Sequence, residues 1–252
     1  MFLVVKKSKI IIALILLAVI ITGVVLTVEG IQVVSANAAK KQIPIYAVDT
    51  DSNKVAISFD AAWGGDKTKG ILDLLDTYQV KATFFLVGFW IDKYPELVKE
   101  ISDRGHLIGN HSTNHPHFNK LSGQEMQLEI SSTNKKIKDI IGQDAKYFRA
   151  PYGEYNNQLI NVVTEMNMQC IQWDVDSLDW KGISGKEIAE RILSKAKSGS
   201  IILCHNNSDH ILDALPLVLL GIKNKGLTLV RMDELVIESN FYIDNSGIQH
   251  SN

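Results

Sequence analysis

The sequence has little from which to build a covalent scaffold. Its only two cysteines, Cys170 and Cys204, both sit inside apolar runs, MQCIQW and IILCHN. That setting makes them small buried hydrophobes rather than a disulfide, and their separation argues against a metal knuckle. Proline is scarce, five in 252 residues, and 46% of the chain is hydrophobic, which is ordinary globular composition for one sizeable domain or two small ones. There is no basic excess. A formal charge of −2 gives nothing with which to attract nucleic acid. A phosphate-binding turn is missing as well, because FDAAWGG after the first β-type run has neither GxGxxG nor P-loop spacing.

The N-terminus supplies a strong compositional signal. Lys6, Lys7 and Lys9 precede the uncharged run IIIALILLAVIITGVVLTV over 10–28. At about 1.5 Å per residue a helix of that length nearly crosses a hydrocarbon core of roughly 30 Å. The run has no polar face, and the flanking lysines predict a cytoplasmic start with the rest of the chain exported. The expected layout is a basic segment (1–9), a transmembrane signal-anchor (10–28), a linker (29–53), a folded domain (54–238) and a C-terminal tail (239–252). SANAAK offers cleavage after Ala38 as the alternative, which would release the domain as a secreted protein.

From Lys54 onward short β-type runs alternate with helical stretches. The runs are VAISFD (55–60), ATFFLVG (82–88), HLIGN (106–110), KYFRA (146–150), QCIQWDV (169–175), SIILCH (200–205) and LTLVRM (227–232). Six amphipathic stretches lie between them, several stopped by Gly105, Gly142, Gly199 or Gly226. Seven strands alternating with six helices predict an α/β fold, a parallel sheet covered by helices, either a β/α barrel or an open doubly wound sheet. Both put their chemistry at the C-terminal ends of the strands.

Those ends carry Asp60, then NHSTNH, RAPYG, DVDSLDW and LCH. A lone Asp there is usually a turn former, but five such ends together define a site. His111 and His115 stand four apart, a spacing that on a helical turn would let both rings share a metal. His106 and His117 lack it and read as structural or exposed. Cys204 should face away from the site, since strand neighbours alternate.

The ordered set SFD, HSTNH, RAPYG, DSLDW and LCH resembles the five motifs of the polysaccharide deacetylases, carbohydrate esterase family four, over about Lys54 to Val236. The anchored layout and the form SFDAAWG look similar to the sporulation-associated branch. The resemblance implies a distorted (β/α) barrel of about seven parallel strands and a metal-dependent hydrolase of glycan N-acetyl groups. It implies His111 and His115 as ligands of Zn, or of Co or Mn, and Asp60 as the base acting on the attacking water. Arg149 would hold Asp60, and the backbone N–H of Tyr152 would face the oxyanion. Asp179 would orient His205, the general acid, while Trp180 and Leu203 would line the acetyl pocket. Such chemistry is coherent: a bound cation brings the pKa of water to roughly 7, and an amine leaves only when protonated.

One position departs from the pattern. Where the family has a second carboxylate that completes the metal site, this chain has Ala61. A catalytic zinc normally has three protein ligands and a water. Asp66 or Asn114 supplies an oxygen, or a water does, or Asp60 turns to the metal, or the site no longer holds one; Asp66 otherwise caps the helix near Lys67. The reading carried forward is a membrane-tethered N-deacetylase acting on a cell-wall polysaccharide such as peptidoglycan. Its alternative is a non-catalytic glycan-binding or morphogenetic protein that kept the barrel and lost turnover because of Ala61.

Overall fold

The computed structural model describes Leu17 and residues 41–252. The chain begins with β1 (Ala47–Val48) and β2 (Lys54–Ala61), then α1 (Thr68–Thr77), β3 (Thr83–Leu86), α2 (Gly88–Lys93), α3 (Pro95–Asp103) and β4 (Leu107–Asn110). It continues through α4 (Gly123–Ile141), β5 (Tyr147–Phe148), α5 (Asn157–Glu165), β6 (Gln169–Cys170), β7 (Val175–Asp176), α6 (Gly185–Lys195) and β8 (Ile201–His205). The last elements are α7 (Ile211–Asn224), β9 (Thr228–Val230), α8 (Met232–Leu235), β10 (Phe241–Ile243) and β11 (Ile248–Ser251).

The main sheet runs β6-β5-β4-β3-β2-β8-β7, with β9 paired to the start of β2, and every pairing is parallel. Among the described residues no ladder joins β6 to β7, so the expected barrel is corrected to a curled, open seven-stranded half-barrel. The reason lies in QCIQWDV, predicted as one strand. After Cys170 the Gln172 N–H donates to the Ile45 carbonyl and Ile171 bridges Ile45. The chain then resumes as β7 at the opposite edge of the sheet, beside β8.

Alternation along β2 sorts its side chains. Val55, Ile57, Phe59 and Ala61 pack toward the helices, together with Ile202 and Cys204 of β8. Cys204 thus faces away from the site, and both cysteines are free and buried. The even-numbered residues of β2 face the inside of the curl, where Ala56 joins Phe85 and Ile201 in a second apolar cluster. Fully burying a Val, Ile or Phe side chain among them contributes about 1.5–3 kcal/mol. Two helices, α4 and α6, begin at complete capping boxes, Ser122 with Glu125 and Ser184 with Glu187. Gly142 ends α4 in the left-handed conformation at φ 73°.

Residues 241–251, for which the sequence predicts no element, form β10 and β11. With β1 they make a small second sheet, ordered β1-β11-β10. There His250 reaches Asp49 Oδ2 at 2.9 Å and Asp244 Oδ2 at 3.3 Å.

The expected transmembrane helix over 10–28 falls, apart from Leu17, outside the described residues. Among the described residues no helix is long and apolar enough to cross a membrane. The anchored, single-pass arrangement, with the membrane as a partner, is corrected to this extent: the described residues supply no spanning helix.

Candidate functional site

Parallel register sets one row of inward-facing residues across four strands. Gly109 of β4 pairs with Phe85 of β3, Phe85 with Asp60 of β2, and Asp60 with His205 of β8. Without a side chain at 109 the Phe85 ring can lie flat in the curl; a Cβ there would meet its Cδ1 at 2.5 Å. Phe85 in turn carries the Arg149 guanidinium, 4.1 Å from the ring centre.

Arg149 is fully buried. It donates to Asp60 Oδ1 and Ser58 Oγ, each at 2.8 Å, and to the Gln172 carbonyl at 3.1 Å. Burial pushes the Asp60 carboxyl up, but the charge and hydrogen bond of Arg149, with His111 and His205 beside it, together outweigh that, and Asp60 titrates below the ordinary carboxylate range. The charge-assisted pair that the family resemblance implies is thus present in the geometry.

His111 and His115 do come together, with ring centres 5.0 Å apart. They do so through a loop and not through the helical turn that their spacing suggested. Ser112 and His115 both have left-handed backbone, at φ 69° and 54°. Asn110 Oδ1 accepts from the Ser112 N–H, and Glu129 accepts from the N–H groups of Thr113 and Asn114. The His111 Nδ1 meets the Arg149 carbonyl at 2.7 Å. Its Nε2 lies 3.5 Å from Asp60 Oδ2. Burial lowers the pKa of both rings, that of His115 to about 4, with His111 adding to the shift at His115.

Asp179 holds His205 twice, accepting the backbone N–H at 2.8 Å on Oδ2 and meeting the ring Nδ1 at 2.7 Å with Oδ1. Burial alone would lower the His205 pKa, but Asp179 reverses it and the ring titrates above its ordinary value. Tyr152 lies in a tight turn at φ 59° with its ring exposed, edge-on to His115 at 4.6 Å and stacked on His117 at 4.3 Å. Trp180 is exposed, Leu203 is buried, and both line the same cavity of about 520 Å³ with Asp60, His111, His115 and His205.

This donor set does not fit a catalytic cation. Ala61 is fully buried in the apolar layer between sheet and helices. Asn114 is absent from the cavity wall, its side-chain Nδ2 donating to Glu129 Oε1 at 2.6 Å. Asp66 is absent from the cavity wall, and it does not cap α1, whose first turn has no side-chain cap. Asp60 is committed to Arg149, and the His111 Nε2 points at Asp60. The buried Nδ1 of His115 has no hydrogen-bond partner, whereas a ligating histidine almost always has its second nitrogen held. Among the described residues no group of three or more His, Cys, Asp or Glu side chains is placed to hold a metal. The expected zinc, cobalt or manganese cofactor is corrected accordingly.

Sequence reasoning missed three contributors. The Ser58 hydroxyl and the Gln172 main-chain carbonyl hold Arg149 from inside the curl; an isolated serine in an apolar strand gave a faint sign of the first, and a backbone acceptor leaves none. Trp63, in the loop after β2, lines the cavity and is 55% exposed; an aromatic residue in a glycine-containing loop was the available signal.

A curled parallel half-barrel with a cavity at the C-terminal strand ends defines the class. Residues 47–171 match the polysaccharide deacetylase family. The peptidoglycan-N-acetylglucosamine deacetylase of Bacillus cereus is 37% identical over 196 residues, covering 75% of this chain and 71% of that one. The chain belongs to this family, carbohydrate esterase family four. The uncharacterized protein YlxY of Bacillus subtilis is 36% identical over 78% of this chain, which spans 61% of that protein's length. BA3943 of Bacillus anthracis, a pseudoenzyme of the same family, superimposes with a TM-score of 0.75 at 28% identity, covering 83% of this chain and 73% of that one. A BA3943 mutant with restored enzymatic activity matches at 32% identity and the same TM-score, covering 77% and 71%.

These matches carry the family and nothing finer, so the expected sporulation-associated, membrane-anchored branch is corrected to the family alone. The expected metal-dependent deacetylase is corrected too. The donor set lacks its third ligand, and pseudoenzyme structures stand among the similar ones.

Proposed function

We propose that this protein is a non-catalytic member of the family that binds an N-acetylated glycan in the cavity at the strand ends. One observation carries the reading. Tyr152, Trp180 and Leu203 line the cavity, while Ala61 offers no third ligand beside it and the His111 Nε2 lies 3.5 Å from Asp60 Oδ2. Apolar walls with a few convergent polar groups are what a small-molecule or sugar site needs. Here Asp60 and His205 supply the polar groups, held by Arg149 and Asp179. The B. cereus relative is named for peptidoglycan N-acetylglucosamine, which supports an N-acetylated cell-wall polymer as the ligand. Similarity to the BA3943 pseudoenzyme supports binding without turnover.

Isothermal titration of the purified protein with penta-N-acetylchitopentaose and with soluble peptidoglycan fragments tests the reading. Saturable binding of either is expected. No heat and no retention on insoluble peptidoglycan would overturn it.

A further inference from the structure

Three of the five exposed aromatic side chains among the described residues line one cavity: Trp63, Tyr152 and Trp180. Tyr152 and Trp180 belong to the motifs already discussed. Trp63 does not. It follows Ala61 and Ala62 in the loop leaving β2, at the place where the family pattern would be assembling its metal site.

Two features set Trp63 apart from an incidental surface residue. Its ring is bracketed: the His115 imidazole lies edge-on to it at 5.0 Å and Phe89 tilts against it at 6.3 Å. Its backbone is pinned as well. The next carbonyl, that of Gly64, accepts from the Trp90 indole at 2.7 Å and from the Asn206 amide at 2.9 Å. Trp90 is buried, so the loop is tied to the core by a side chain that cannot swing away. Gly64 itself holds a left-handed turn at φ 63°, with room for a Cβ only 3.2 Å from Asp66 Oδ1.

An indole that remains more than half exposed while its neighbours bracket it keeps much of its apolar area uncovered. That area is available to a ligand, and little ordering entropy is lost when the ligand arrives. A pyranose with equatorial substituents presents axial C–H groups on its faces, which pack flat on an aromatic ring. We infer that Trp63 is the stacking platform for one pyranose ring of the bound glycan, and that His115 serves as its bracket. The inference rests on the glycan-binding reading and adds how the ligand is held: aromatic stacking does the work where a cation would otherwise grip the sugar.

The test compares wild type, Trp63→Ala and Trp63→Phe by isothermal titration with penta-N-acetylchitopentaose, with thermal melts to verify folding. Trp63 is exposed, so the alanine variant should melt with wild type. Loss of a large buried aromatic contact should weaken binding about tenfold or more in Trp63→Ala. Trp63→Phe should recover most of the affinity, because it keeps a flat ring. Should Trp63→Ala bind within twofold of wild type, the platform is wrong while the glycan-binding reading stands. Should Trp63→Phe bind as poorly as Trp63→Ala, ring stacking is also wrong. Absence of binding by wild type would overturn the platform together with the reading beneath it.

Discussion

His111 turns its Nε2 to within 3.5 Å of Asp60 Oδ2, so the imidazole and the carboxylate of the site face each other across a short gap. Asp60 in turn neutralises Arg149 through Oδ1. The charges in the floor of the cavity are therefore spent on one another.

Removing Asp60 should expose how much the fold depends on that pairing. Asp60→Asn leaves the buried Arg149 guanidinium without a counter-charge, which costs about 3–5 kcal/mol when one partner of a buried pair is lost. Because Asp60 titrates below its ordinary value in the folded protein, its contribution is present above about pH 4 and is lost as the pH falls through the lowered pKa. Urea unfolding at pH 7 should show the deficit, and the gap between wild type and variant should close as the buffer becomes strongly acidic.

Gly109 supports the same pair from one strand further away. Gly109→Ala would drive a methyl to 2.5 Å from the Phe85 ring, and that ring carries Arg149. Overpacking of this kind costs about 1–3 kcal/mol. The expected result is a lower thermal midpoint together with weaker glycan binding. A midpoint equal to that of wild type would show that Phe85 can move freely.

The Asp179–His205 pair makes a separate claim that NMR can read. In wild type the His205 ring should titrate above about 6.5, since Asp179 favours imidazolium. With Asp179→Asn the main raising influence disappears and burial remains, so the ring should titrate below that value. Histidine Cε1–H shifts followed from pH 4 to about 9 decide the matter.

Much of this was legible in advance, for identifiable reasons. The run VAISFD predicted β2 within a residue at each end, because a strand buried on both faces is apolar throughout. The spacing of His111 and His115 foretold that their rings meet, yet the cause was a loop with two left-handed residues, which no periodicity reveals. QCIQWDV reads the same whether it lies in one strand or crosses between two sheet edges, since only the partner strands differ. ATFFLVG ran past Leu86 for the same reason, and the short helix α2 starting at Gly88 went unseen. The strands β10 and β11 are too short to show a pattern. Ala61 was visible at once; that the His111 Nε2 would lie 3.5 Å from Asp60 Oδ2 was not.

His250 gives the C-terminal strand a pH-dependent tie to the rest of the molecule. Its hydrogen bond to Asp244, assisted by Asp49, raises its pKa above the ordinary value. Its stabilising effect is therefore complete below about pH 6.5 and lost as the pH rises through the raised folded pKa. Asp244 is held below the usual carboxylate range, first by the Ile248 N–H, so its share persists until strongly acidic pH. His250→Gln should lower the thermal midpoint at pH 5.5 and leave it almost unchanged at alkaline pH. Amide exchange over Ile248–Ser251 should quicken in the same acidic window only.

The most direct measurement puts one sample through two assays with Zn²⁺, Co²⁺ or Mn²⁺ added in turn: binding of penta-N-acetylchitopentaose by calorimetry, and release of acetate from the same oligosaccharide. A non-catalytic binder gives saturable binding and no acetate above the protein-free control with any of the three ions. Acetate accumulating over repeated turnovers, dependent on added metal and on Asp60, would contradict it.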